Sequence, residues 1–326
     1  MLNNRIFAWI GAVTVVTSLL ATPAEAISVQ TKYKSCSYPP STGPSQPYKP
    51  NTKSWKAKGL TASVKGVDVS MWQHPGGKPI NFAKLKAKYG ASFVFIKASD
   101  GASRDSGRSA GLFKSDRKAA RAAGLIVGAY HYAVPGQTGS GTMTVPASKK
   151  NQSNYAALEA SALANRHRDA LLQARQAYKN ALHTPKGDLP LTLDFEERPC
   201  GWSWTNVSAW TRDYLLEYER LSGRKPLIYA NGYFIKKLAA SPVKDVANPS
   251  VNFDFSVYPL WIASWSRKVS TSPAEVPIWN TNWLFWQFTS DGALKDHKTH
   301  PTVPTSRTDL DVFNGTVEQL RTFANQ

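Results

Sequence analysis

Cysteine, acid and long apolar runs are all scarce in this 326-residue chain, and each shortage removes a class of protein. The only two cysteines are Cys36 and Cys200. Neither they nor the six histidines fall in a Cys/His spacing typical of zinc, so no metal centre and no cofactor is expected. No G-x-S-x-G elbow is present, which argues against an α/β-hydrolase. No glycine-rich phosphate turn opens a helix, which disfavours an open nucleotide-binding sheet. After the first residues no apolar stretch is long enough to span a bilayer. Nor is there a repeat of solenoid length. Acids number 22 against 40 Lys and Arg, leaving a net charge of +18. Such a chain is expected to accumulate on polyanions. With no motif for reading nucleic acid, the expected polyanions are anionic wall polymers and polysaccharides.

The N-terminal stretch does have an apolar run. Arg5, the apolar segment Ile6 to Leu20, and Ala24-Glu25-Ala26 have the order of a secretory signal with an A-x-A cleavage site, so residues 1–26 are expected to direct export. In an oxidising compartment the cysteine pair Cys36 and Cys200 is expected to be bridged. Residues 27–65 are rich in Pro, Ser, Thr and Lys and carry no acid before Leu60, which predicts an extended basic arm with no core of its own.

From residue 66 to 326 a rhythm of short β-branched or aromatic runs alternates with helical patterns. Strands are predicted at 66–70, 92–99, 125–133, 189–196, 225–231, 258–264, 283–290 and 308–313. Helical patterns separate the early ones, and a long Ala-rich helical insert is expected at about 137–185. In 207–223, Trp210, Tyr214 and Tyr218 recur at four-residue steps before Gly223, a C-cap. Alternation of this kind predicts an α/β fold with parallel strands. Eight strands with helices thinning out after the fifth or sixth predict an irregular TIM-like β/α barrel.

In such a barrel the chemistry lies at the C-terminal ends of the strands. Those ends carry Asp68, Tyr130, Tyr132, Asp194, Glu196, Tyr229, Asn231, Trp261, Gln287 and Asp309, with Ser70, Lys97 and Asp100 beside them. Carboxylates, amides and aromatics are the side chains that bind sugars. The segment LTLDFEE sharpens the reading. Residues two apart on a strand share a face, so Asp194 and Glu196 are predicted to point together into the mouth. Like charges that close cannot both ionise cheaply. One raised carboxyl can therefore serve as a general acid, as glycoside hydrolysis requires. His131, at the end of the third strand, is read as a packing or groove residue.

Eight motifs occur in order: GVDVSMWQ, FVFIKASDG, GAYHYA, LTLDFEE, PLIYANGYF, PLWIASW, FWQFTSDG and TDLDVF. In this set the chain resembles the family 25 glycoside hydrolases, the N-acetylmuramidase lysozymes. The resemblance implies hydrolysis of the β-1,4 bond between N-acetylmuramic acid and N-acetylglucosamine in peptidoglycan. It implies Glu196 as general acid, Asp194 as its carboxylate partner, and Asp68 and Asp309 as the other acids. Tyr130, Tyr132, Tyr229, Asn231, Trp261 and Gln287 are the expected sugar contacts. Where the family commonly carries Glu, this chain has Asp100. The expected partner is the peptidoglycan glycan strand, met by a secreted monomer that binds neither nucleic acid nor, once the signal is removed, membrane. The rival readings are a chitinase-like β-glycosidase, whose barrel also ends a strand in D-x-E, and a non-catalytic wall-binding protein.

Overall fold

Eight strands close into a barrel in chain order in the computed structural model, which describes residues 64–102, 106–136, 163–199, 202–265, 277–279, 282–292, 303 and 308–326. The strands are β1 (Val64–Val69), β2 (Ala91–Asp100), β3 (Ile126–Tyr132), β4 (Thr192–Asp194), β5 (Leu227–Asn231), β6 (Leu260–Ala263), β7 (Trp283–Gly292) and β8 (Thr308–Phe313). From β1 to β7 neighbours pair in parallel, whereas β8 runs antiparallel to both β7 and β1. The barrel is the expected one, and the reversal of β8 corrects one detail. Its N-terminal end lies at the mouth, so Asp309 reaches the site from the second residue of β8, not from its last.

Helices α1 (Ser106–Ala122), α2 (Arg166–Asn180), α3 (Trp204–Ser222) and α4 (Gly232–Ala239) follow β2, β3, β4 and β5, and α5 (Val317–Asn325) closes the described chain. Among the described residues no helix of comparable length follows β6 or β7, which is the expected thinning. The C-terminal part of the expected insert is α2, an ordinary crossover helix; residues 137–162 lie outside the described part. So do the signal, the arm up to residue 63, and both Cys36 and Cys200. None of the described helices is long and apolar enough to cross a membrane.

Side-chain alternation divides the fold into two apolar cores. Leu191, Leu193 and Phe195 point outward and pack with Trp210, Tyr214 and Tyr218 of α3 in the core beneath the helices. Ser203 caps α3 by accepting from the Asn206 N–H, and Gly223 ends it with φ 68°, a left-handed angle cheap only for glycine. Inside the barrel a second core stacks Phe93, Phe95, Trp261, Phe285 and Phe313. Phe95 lies 4.2 Å from Trp261, centroid to centroid. These rings fit because β1 and β3 carry no side chain opposite them. A Cβ on Gly66 would sit 2.1 Å from the Phe93 ring, and one on Gly128 would sit 2.3 Å from Phe95. The lumen below the mouth is thus a packed floor, as barrels require.

Candidate active site

The mouth opens into a cleft of about 270 Å³. Of the sequence-predicted residues, Asp68, Asp194, Glu196 and Asp309 line it together with Tyr130, Tyr132, Tyr229, Trp261 and Gln287. They come from β1, β3, β6, β7 and β8 and from the β4 and β5 ends, over a sequence span that only barrel closure brings together. Asn231 is the exception. Its Oδ1 accepts the N–H groups of Tyr233 and Phe234, capping α4, and it is not part of the lining.

Period-two alternation sets the central pair. Thr192 and Asp194 face the lumen while Leu193 and Phe195 face the helices, and the Phe195 N–H bonds the Tyr229 carbonyl at 2.9 Å, extending the strand geometry to Glu196. Asp194 and Glu196 consequently reach the same cleft, and their carboxyls hydrogen-bond to each other. Burial raises both above the ordinary carboxylate range. The charge of Glu196 pushes Asp194 further up. The shared hydrogen bond favours the ionised form of Glu196 and the protonated form of Asp194. Two acids this close and this buried cannot both ionise cheaply, so the pair holds a proton more firmly than either acid would alone.

Asp68 belongs to a neutral scaffold. Gln287 Nε2 donates to Asp68 Oδ2 at 2.8 Å, while Gln287 Oε1 accepts from Tyr229 Oη at 2.8 Å and from Trp265 Nε1 at 2.9 Å. An indole N–H can only donate, so the amide can sit only this way round. Gln287 thus spends its hydrogen bonds orienting an acid. Burial pushes the Asp68 carboxyl up to about 6, against the pull of its hydrogen bonds from Gln287, Asp309 and Asp311, with the Glu196 charge adding to the rise. Among the described residues Lys97 is the single cation lining the cleft. Its Nζ bonds Asp100 Oδ2 at 2.8 Å and lies 4.5 Å from the centre of the Tyr132 ring. Tyr132 in turn donates to Glu197 at 2.7 Å. Asp100 therefore acts here as the anchor of Lys97.

Two lining groups escaped the sequence reading. Trp72 is 72% exposed and lines the cleft opposite no core residue. Its loop is rigid because Ser70 and Gln73 form a capping box, and because His74 joins Asp116 of α1 at 2.8 Å. A large exposed indole on a fixed loop presents a flat apolar face to the cleft. Ser290 also lines the cleft. Below the lining, Asp311 of β8 faces the lumen, fully buried, and accepts the Trp261 indole N–H at 2.9 Å. The signal that could have found it is the one that found Glu196: in TDLDVF, Asp309 and Asp311 are two apart. Trp286 does not enter the cleft; its indole N–H bonds the Ser264 carbonyl. His131 is buried between Ser99 and Gln173, and burial lowers its pKa to about 3, so it stays neutral packing.

Comparison with known proteins supplies the family. The family model for glycosyl hydrolases family 25 matches residues 67–157 and 162–297. Lysozyme M1 of Streptomyces globisporus is 27% identical over 270 residues, which cover 81% of this chain and 72% of that protein. A family GH25 lysozyme from Aspergillus fumigatus is 26% identical with a TM-score of 0.56, covering 81% of this chain and 99% of that one. The bacterial lysozyme of Streptomyces coelicolor shares the fold, with a TM-score of 0.56 at 24% identity over 81% of this chain and 98% of that one.

Proposed function

Because the chain belongs to glycosyl hydrolases family 25, we propose that this glycoside hydrolase is a muramidase that cuts the β-1,4 bond between N-acetylmuramic acid and N-acetylglucosamine in peptidoglycan. The observation that carries the reading is the pair Asp194 and Glu196, reaching one cleft with both carboxyls raised by burial.

The proton's resting place sets the order of events. The Asp194–Glu196 pair shares it. An acetamido N–H of a bound sugar bonds best to an ionised acceptor, so its arrival favours the Asp194 carboxylate and moves the proton to Glu196. Glu196 then protonates the glycosidic oxygen as that bond breaks. The sugar's own acetamido oxygen attacks the anomeric carbon and closes an oxazolinium ring, which Asp194 steadies. Water opens the ring, Glu196 takes the water's proton, and the configuration is retained. Asp68 and Asp309 supply negative field to the cationic transition state. Trp72 and Trp265, exposed on opposite loops of the cleft, offer aromatic faces to neighbouring sugars. Residues 1–26 direct export in this reading, and the basic arm 27–65 holds the enzyme on anionic wall polymers.

Digestion of defined peptidoglycan by the wild-type protein and by Glu196→Gln is the test. Fragments ending in N-acetylmuramic acid, released with retained anomeric configuration, are expected. The variant should be slower by about 10²–10⁴, the usual contribution of a general acid. Cleavage on the other side of each sugar, or equal rates, would overturn the assignment.

A further inference from the structure

Five carboxyls, those of Asp68, Asp194, Glu196, Asp309 and Asp311, crowd the cleft and its floor, where among the described residues Lys97 is the only cation of the lining and is already bonded to Asp100. Protons relieve that imbalance. The Asp194–Glu196 pair accounts for one. Asp311 is the place of a second. It has no exposure to solvent. Its Oδ1 accepts the Trp261 N–H at 2.9 Å, and its Oδ2 is buried with no N–H or hydroxyl partner. On the β1–β8 ladder Asp68 pairs with Asp309 and Gly66 with Asp311, so Asp311 faces the lumen one step below Asp68. Two carboxyls bond only when one of them carries a proton. Each accepts one N–H, from Gln287 and from Trp261, but only Asp311 is wholly shut off from solvent, so it is the better seat for the proton.

We propose that Asp311 is a positioning residue of the hydrolytic site: held as a neutral acid, it donates to Asp68 from below and fixes that carboxylate beneath the bound sugar. The inference rests on reading the cleft as a glycosidase site. The surroundings favour a neutral Asp311. Burial drives its carboxyl well above the ordinary range, the charges of Asp68 on β1 and Asp309 on β8 push the same way, and the Trp261 hydrogen bond from β6 opposes them. Among the described residues Tyr89, before β2, is a further titratable group within electrostatic reach, and it brings no positive charge. Rings close the other sides, for Trp261 is itself stacked on Phe95. Asp311 never meets the sugar; it acts through Asp68.

The neutral acid has a neutral imitation. Asp311→Asn keeps the shape, an acceptor for Trp261 and a donor for Asp68, whereas Asp311→Leu keeps only bulk. The experiment measures kcat/KM against pH on soluble glycan strands for wild type and both variants, with Glu196→Gln alongside. Asp311→Asn is expected within about threefold of wild type with its acid limb unmoved. Asp311→Leu is expected to lose tenfold or more, with the acid limb moved to higher pH because Asp68 has lost a donor. Infrared difference spectra of wild type minus Asp311→Asn at neutral pH should show the carbonyl stretch of a protonated carboxyl, a readout that stands even where Asp311→Leu fails to fold. An Asn variant as impaired as the Leu variant, a Leu variant with full activity, or a spectrum without the protonated band would each overturn the proposal. A fully active Glu196→Gln would instead overturn the reading of the cleft.

Discussion

Replacing Asp68 by Asn should impair hydrolysis and yet make the fold more tolerant of neutral pH. The buried Asp68 carboxyl has its pKa raised from 3.8 to about 6. A group with a raised folded pKa stabilises the fold below its unfolded pKa, and that contribution is lost as pH climbs through the folded value. The wild-type protein therefore loses stability through Asp68 between about pH 4 and pH 6. At about 1.4 kcal/mol per pKa unit, the roughly two-unit rise corresponds to about 3 kcal/mol. Asn does not titrate, so the variant escapes this loss. Its Oδ1 still accepts from Gln287, which keeps the scaffold intact. Asp194 and Asp311, each raised in part by the Asp68 charge, ionise more easily in the variant, adding to the same sign. Urea unfolding of both proteins at pH 4 and pH 7.5 reads the quantity directly. The stability of the variant relative to wild type should rise by about 2–3 kcal/mol between the two pH values, because the unfolded Asp is already partly ionised at pH 4. A difference that stays flat with pH, or falls, would show that Asp68 is ionised at no cost and would refute the electrostatic account of the floor.

Two other perturbations separate binding from architecture. Trp72→Ala should raise KM for glycan strands several-fold while leaving kcat and the melting temperature nearly unchanged, because the indole is 72% exposed and packs on no core residue; steady-state kinetics with a thermal melt decide it. Gly66→Ala should destabilise the fold by about 1–3 kcal/mol or more, the usual cost of overpacking, since its Cβ would press 2.1 Å from the Phe93 ring. A wild-type melting temperature for Gly66→Ala would show that the lumen is looser than the aromatic stack implies.

Much of the site was legible because its causes are local. The side-chain period of a strand is two, so Asp194 and Glu196 had to share a face, and the apolar Leu191, Leu193 and Phe195 had to share the other. The same period runs through TDLDVF, yet Asp311 went unread there. A carboxyl below the mouth gains meaning only from what stands across the lumen, and Trp261 and Asp68 are 50 and 243 positions away in the chain. Asn231 misled for the opposite reason: a strand end and a helix cap prefer the same residue, and only the backbone N–H groups of Tyr233 and Phe234 show which role it fills.

By itself the sequence determined the alternation of strands and helices, the barrel class, the D-x-E pair and the family, all of which follow from short-range periodicity and ordered motifs. Tertiary structure decided the direction of β8, the position of Trp72 on the rim, the use of Gln287 and Asp100 as anchors for other side chains, and which acids are held above their ordinary range. The division has one physical reason. Which way a side chain points is set by its own strand, whereas whether a buried acid keeps its proton is set by burial and by charges on every other strand that closes around it.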